Sequence, residues 1–217
     1  MRLKFWLRAA LNVFGSILLS SAIYGALMTL MNEETTPVDA LSMLPLYIMI
    51  FGAFMHMGYG LAALKTTANL ALSLGETRRG AFLGLIVVTL LPVLANVALT
   101  AAVIALVSAL GAEPHFSLEY MVPLGIALGL FMAGLGLAIA MIQRRFGTVV
   151  SVISGVFIVL LAIGFGFCAG LGLFDALNLG ALLEAVSWWS FTLVGLVFYG
   201  IILIPLHRTV IRFAVTM

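Results

Sequence analysis

The chain has 217 residues, of which 64% are hydrophobic and only 8% charged, with a formal net charge of +2. That is far more apolar surface than a soluble domain of this size can bury, which excludes a water-soluble globular protein. The small net charge and the lack of a long basic run leave nothing to suggest a nucleic-acid partner, and a single cysteine, Cys168, excludes an internal disulfide framework.

In a bilayer each crossing must satisfy its own backbone hydrogen bonds, and a helix of about 20 apolar residues does so over a hydrocarbon layer of roughly 30 Å. No stretch alternates polar and apolar residues as the strands of an outer-membrane barrel do. The expected fold is therefore an all-α membrane protein, a bundle of six transmembrane helices forming one domain over residues 1–217. The predicted spans run from Ala9 to Met31, Leu41 to Leu64, Ala81 to Leu110, Tyr120 to Ile142, Phe146 to Phe174 and Ala185 to Leu206. The third and fifth exceed the length of a straight crossing, and Pro92 gives the third a place to kink.

Arg2, Lys4 and Arg8 precede the first span. The apolar stretch after them is too long for a signal peptide and no clear small-residue cleavage site follows, so it is read as a span. Trp6 among these basic residues fits a short segment lying at the membrane interface. Lys65, Arg78 and Arg79 follow the second span, Arg144 and Arg145 the fourth, and Arg208 and Arg212 the sixth, so all ten basic residues fall on one side. The opposite loops hold Glu33, Glu34, Asp39, Glu113, Glu119, Asp175 and Glu184, leaving Glu76 as the one acidic residue on the basic side. The bias of Lys and Arg toward cytoplasmic segments then predicts an even number of crossings with both termini in the cytoplasm.

Within the second span, His56 is the one ionisable side chain deep in any predicted run. Such a group is a candidate for function, and its plainer role is a neutral imidazole hydrogen-bonded to a neighbouring helix. Met43, Met49, Met55 and Met57 lie nearby, but their spacing does not put them on one face with His56, which argues for apolar packing and against a metal site. In the third span Asn96, close to Pro92, is a second polar candidate for pairing helices or lining a pathway.

The loop from Lys65 to Gly80 reads as a short helix along the membrane surface. Thr66 or Thr67 can cap its start, Leu70 and Leu74 share a face at i,i+4, and Gly75 can take the left-handed conformation that ends it. It is either a connector whose Arg78 and Arg79 sit among lipid headgroups or a docking element for a cytosolic partner.

On the fourth span Gly125, Gly129, Ala133, Gly136 and Ala140 line small residues along one face, and on the fifth Gly155, Ala162, Gly166 and Gly170 do likewise. Close helix packing within one bundle is the default use of such stripes, and packing between two copies is the other. The stretch from Asp175 to Ser187 is too short to cross and too apolar for an ordinary loop, and Trp188 and Trp189 would anchor it at the outer interface.

Leu72-Ser73-Leu74-Gly75-Glu76-Thr77-Arg78-Arg79, followed by Phe82 and Gly84, resembles the loop between the second and third spans of bacterial ABC transporter permeases of the type-2 export class. As sequence the resemblance rests on about ten residues; as architecture it covers the chain. It implies that Leu70, Leu74, Gly75, Glu76, Thr77, Arg78 and Arg79 form a short cytoplasmic coupling helix and its turn, which fit a groove on a separate ATPase subunit. It also implies two permease subunits, alike or different, in a bacterial cytoplasmic membrane, and short re-entrant helices before the last span.

The function classes separate on what is missing. No deep Ser–His pair or His-Glu-x-x-His run is present, so an intramembrane enzyme is not expected. No acidic residue lies in a span and no repeat relates the two halves, which disfavours an ion-coupled transporter. No Gly-x-x-x-x-Gly-Lys-Ser/Thr loop is present, so an ATP-driven reading needs ATP and magnesium on a partner, with no cofactor or metal on this chain. A permease subunit that exports a hydrophobic or amphipathic cargo, peptide or lipid-like, fits these absences. A membrane anchor or assembly protein, or a stand-alone secondary transporter, is the alternative.

Overall fold

The fold was analysed in a computed structural model, which describes residues 3–31, 37–111, 116–150, 152–153, 155–156 and 187–212. Its elements are α1 (Leu3–Met31), α2 (Pro37–Ala62), a π-helical segment (Ala63–Thr67), α3 (Ala68–Ser73), α4 (Arg78–Ala109), α5 (Leu118–Phe146) and α6 (Trp188–Ile211). Among the described residues there is no strand. Five helical stretches are long and apolar enough to cross a membrane: Leu3–Ser20, Leu41–Ser73, Arg78–Ala109, Leu118–Phe146 and Trp188–Ile211. The chain is an integral membrane protein of the all-α class.

Two boundaries differ from the sequence reading. α1 begins at Leu3 without a break, so Lys4, Trp6 and Arg8 belong to the first long helix and form no separate segment. The second difference lies after Leu64, where the helix does not stop. The polar side chains that look like caps bond back along the helix: Thr66 Oγ1 donates to the Ala62 carbonyl at 2.6 Å and Asn69 Nδ2 to the Lys65 carbonyl at 2.6 Å. Thr67 keeps helical backbone angles and makes no side-chain cap. No Gly or Pro interrupts residues 61–74, and Ala63, Leu64, Ala68 and Ala71 continue to bury one face, so helix propagation wins over the polar sequence. The result is a continuous rod of 33 residues, Leu41–Ser73, about 50 Å long at ~1.5 Å per residue.

The rod ends where the sequence indicated. Gly75 has φ +84°; its N–H bonds the Leu72 carbonyl at 3.0 Å and the Glu76 N–H bonds the Ala71 carbonyl at 2.9 Å, the paired bonds of a Schellman motif. Two residues on, Thr77 is extended and its Oγ1 accepts from the Gly80 N–H at 3.0 Å, capping α4. α4 carries Pro92 inside its 32 residues without ending there.

Side-chain pairs fix the directions of the helices. Tyr59 donates to Ser16 Oγ at 3.0 Å across the antiparallel pair α1–α2. Val93 and Val97 of α4 meet Gly129 and Gly125 of antiparallel α5. Thr192 bonds the Pro123 carbonyl at 2.9 Å, Gly195 lies on Ala127 and Phe198 on Gly134, so α5 and α6 run parallel. Phe146 and Trp188 therefore lie toward opposite ends of the bundle. The predicted fifth span falls, apart from its first few residues, outside the described residues, as do Gly166, Gly170, Cys168 and the stretch from Asp175 to Val186.

This topology gathers the described basic residues, Lys4 and Arg8 of α1, Lys65 of the π segment, Arg78 and Arg79 of α4, Arg144 and Arg145 of α5, and Arg208 and Arg212 at the close of α6, at one end of the bundle. The main core lies in that same half: Trp6, Leu64, Ala68, Ala71, Ala81, Leu85, Leu137, Leu206 and Val210 are all buried in one cluster.

Candidate functional site

The turn between the rod and α4 is the most elaborated feature of the basic end. On α3 the buried face is Ala68 and Ala71, and the opposite face presents Asn69, Leu70, Ser73 and Leu74; Leu70 is 52% exposed and Leu74 44%. Two leucines one turn apart thus stand out from a rod whose other side is packed. Glu76 points the other way. It is buried, and its carboxylate lies so close to Gly80 that a side chain there would strike Oε1. A carboxylate at the first turn of α4 meets the unsatisfied N–H groups and the positive end of the helix dipole. Thr77 is occupied as the cap, and Arg78 reaches across to α6, where its Nη1 donates to the Ile211 carbonyl. Arg79 is exposed.

The seven residues singled out in this loop therefore divide. Glu76, Thr77 and Arg78 hold the turn to α4 and α6, Gly75 shapes it, and Leu70, Leu74 and Arg79 face outward. Phe82 adds a further tie to α6 by meeting the His207 ring edge-on at a centroid distance of 4.9 Å. The turn is thereby in contact with the rod, α4 and α6 at once.

Trp6 closes this end from the side of α1. It is fully buried, stands edge-on to Phe5 at 5.4 Å, and packs against Gly84 so tightly that a Cβ at Gly84 would enter the indole. It is a core residue and no headgroup anchor, although its Nε1 finds no partner. The residue type misled here, because Trp is also the favoured residue of membrane interfaces.

Deeper in the bundle, Asn96 of α4 sits over Gly52 of α2 and its Nδ2 donates to the Ile48 carbonyl at 3.3 Å, while Oδ1 is buried without a partner. Thr100 donates back to the Asn96 carbonyl at 3.0 Å. Asn96 thus joins α2 to α4. His56 is buried at 3% exposure, and its Nε2 makes no hydrogen bond, so the expected link from that atom to a neighbouring helix is not made. A polar pair that the sequence reading missed is Tyr199 of α6 with Thr89 of α4, at 2.5 Å and buried. Thr89 Oγ1 also lies 2.8 Å from the Leu85 carbonyl. With the single threonine proton committed there, Tyr199 is the donor. A threonine and a tyrosine in apolar runs were the available signal, but their separation of 110 positions hid the pairing.

The small-residue stripe of α5 packs inside the bundle. Gly125 meets Val97, Gly129 meets Val93, and Gly136 lies against the Met57 carbonyl, where a methyl group would collide with backbone. Gly60 of α2 returns the contact, its missing Cβ falling 2.6 Å from the carbonyl oxygen of Ala133. In lipid, helices gain little from apolar burial against each other, so such close approach supplies much of their association.

Among the described residues no three His, Cys, Asp or Glu side chains converge as metal ligands. The fold and this basic-end turn define a helical membrane protein whose prominent exposed feature is a braced turn. Comparison with protein-family models, with curated proteins and with solved structures gives no match.

Proposed function

We propose that this chain is the membrane-spanning permease subunit of an ATP-driven exporter, with a separate ATPase docking on the α3 turn. The observation that carries the reading is the combination at that turn: Leu70, Leu74 and Arg79 face outward, while Glu76, Thr77 and Arg78 brace the turn to α4 and α6. A docking element needs exposed contact groups on a rigid mount, so that a partner's motion is passed on and not absorbed locally. The rod Leu41–Ser73 carries such motion directly into the bundle.

In this reading the basic end is cytoplasmic, in keeping with the excess of Lys and Arg there. Six crossings place both termini on that side, and the parallel course of α5 and α6 supports a further crossing between them. The membrane is a bacterial cytoplasmic membrane, and the transporter pairs two permease subunits with two ATPase subunits that bind ATP and magnesium. The apolar spans favour a hydrophobic or amphipathic cargo, a peptide or a lipid-like compound.

The test is co-expression with candidate ATPases and purification in mild detergent, comparing the native chain with Leu74→Asp/Arg79→Ala. Arg78→Ala is assayed separately because it also removes the bond to Ile211. Co-purification and stimulated ATP hydrolysis that Leu74→Asp/Arg79→Ala abolishes, in a variant that still elutes as a folded protein, is the expected result. Failure of every candidate ATPase to associate would turn the assignment to an anchor, an assembly protein or a stand-alone transporter.

A further inference from the structure

A cleft of about 260 Å³ opens at the basic end between the rod and α5, beside the face of α3 that carries Leu70 and Leu74 but lined by neither leucine. Its polar lining is Lys65 and Asn69 from the rod, Gln143 and Arg144 from α5, and Thr148 just beyond. Leu64 and Ala140, both buried, supply its apolar part. The pairs Lys65/Asn69 and Ala140/Arg144 are each one helical turn apart, so each helix offers one face to the cleft. Gly147, at φ +89°, turns the chain after α5 and brings Thr148 to the same opening.

The charge in this cleft is one-sided. Two cations, two amides and a hydroxyl line it with no carboxylate. Glu76, the one acidic residue at this end among the described residues, is buried against the first turn of α4. The neighbouring Arg145 has its guanidinium 5.2 Å from the centre of the Phe146 ring, so the two adjacent arginines have separate surroundings. Lys65 itself belongs to the π-helical segment, a departure from α-helix geometry that is frequent at functional sites.

We infer that this cleft is a binding site for the phosphate of an anionic membrane lipid, held by Lys65 and Arg144 with Asn69, Gln143 and Thr148 as hydrogen-bonding partners. A phosphate group accepts from a lysine ammonium and an arginine guanidinium together. The lipid source follows from position. Ala140 lies six residues, about 9 Å, inside the end of α5 at Phe146, so the cleft joins a cationic mouth to apolar walls that run toward the hydrocarbon. Basic pockets between transmembrane helices recognise anionic headgroups in this way. The inference is independent of whether an ATPase docks on α3.

The probe is phosphatidylglycerol titrated into the full chain in detergent and read by native mass spectrometry, with phosphatidylcholine of the same acyl chains in parallel. One phosphatidylglycerol is expected to bind in preference to phosphatidylcholine. Lys65→Gln/Arg144→Gln should weaken it by about 30-fold, taking the usual surface contribution of each basic residue. The charge-matched control Arg145→Gln/Arg212→Gln should bind as the native chain does. Size-exclusion elution and thermal melting of each variant establish that it is folded, and the single variants Lys65→Gln and Arg144→Gln replace the double variant if it is not. Equal losses in the control and the cleft variant, or no loss in either, would overturn the site. Displacement of the lipid by millimolar inorganic phosphate would overturn the lipid assignment in favour of a soluble anion.

Discussion

The indole of Trp6 occupies the space that a side chain on Gly84 would need, so the start of α1 and the first turns of α4 are locked by one large and one absent side chain. The pair is complementary in volume, which makes it testable by exchange.

Gly84→Val should lower the melting temperature in detergent, with a cost of about 1–3 kcal/mol from overpacking. Trp6→Ala should also destabilise by opening a cavity in the basic-half core. Gly84→Val combined with Trp6→Ala should be more stable than the two single losses summed, because each change relieves part of the other's defect. Strict additivity in the double variant would show that the two residues do not share the space.

Tyr199→Phe removes a donor from Thr89 but leaves Thr89 bonded to the Leu85 carbonyl. The loss should be modest, about 0.6 kcal/mol, as is usual for hydrogen bonds between membrane helices. A double-mutant cycle with Thr89→Val, read by denaturant unfolding in micelles, should give a coupling of that size. A coupling near zero would mean that the hydroxyls do not meet in the folded protein.

Gly136 and Gly15 offer a contrast at fixed chemistry. A methyl at Gly136 meets the Met57 carbonyl, whereas nothing lies within 4 Å of one at Gly15. Gly136→Ala should destabilise by pushing α2 and α5 apart, and Gly15→Ala should be neutral or stabilising because alanine is the better helix former by about 1 kcal/mol. Melting curves of the two variants under one detergent condition decide the matter, and equal effects would count against the crossing.

His56→Leu removes a buried imidazole whose Nε2 has no partner. Its effect on stability should be neutral or favourable, since an unsatisfied polar atom is exchanged for an apolar one. If the same variant loses transport while its melting temperature holds, His56 acts in function; a large loss of stability would instead reveal a hydrogen bond that the fold depends on.

Much of the bundle was legible because hydropathy and the placement of Lys and Arg are strong signals. The first, second and fourth apolar runs fall within described helical segments, the third overruns α4 by one residue, the sixth lies in α6 from Trp188 onward, and Gly75 ends the rod as its residue type allows. The stretch from Lys65 to Ser73 reads as helix in the sequence, and it is; its polar residues suggest a separate start at Thr66 or Thr67, whereas Ala63, Leu64, Ala68 and Ala71 bury against other helices and carry the helix on from α2 without a break. Trp6 misleads for the same tertiary reason: whether an aromatic anchors in headgroups or fills a core depends on the gap opposite, here Gly84, and that gap lies 78 positions away in sequence. Arg78 is exposed, as its charge suggests, but nothing local reveals the Ile211 carbonyl beside it. Small-residue spacing showed that α5 approaches something closely, but only the tertiary arrangement names Val93, Val97 and Met57.

The Gly60–Gly136 crossing lies nearly midway between two points of the rod, with Ile48 twelve residues before Gly60 and Ser73 thirteen residues after it. At ~1.5 Å per residue each arm is close to 20 Å, so a seesaw rotation of roughly 10° about the crossing would carry the two points about 3 Å in opposite directions. Ser73 adjoins the exposed turn, and Ile48 is where Asn96 holds the rod at 3.3 Å. A push on the turn would thus be felt first as the opening of that one long hydrogen bond, on the far arm from where the force was applied.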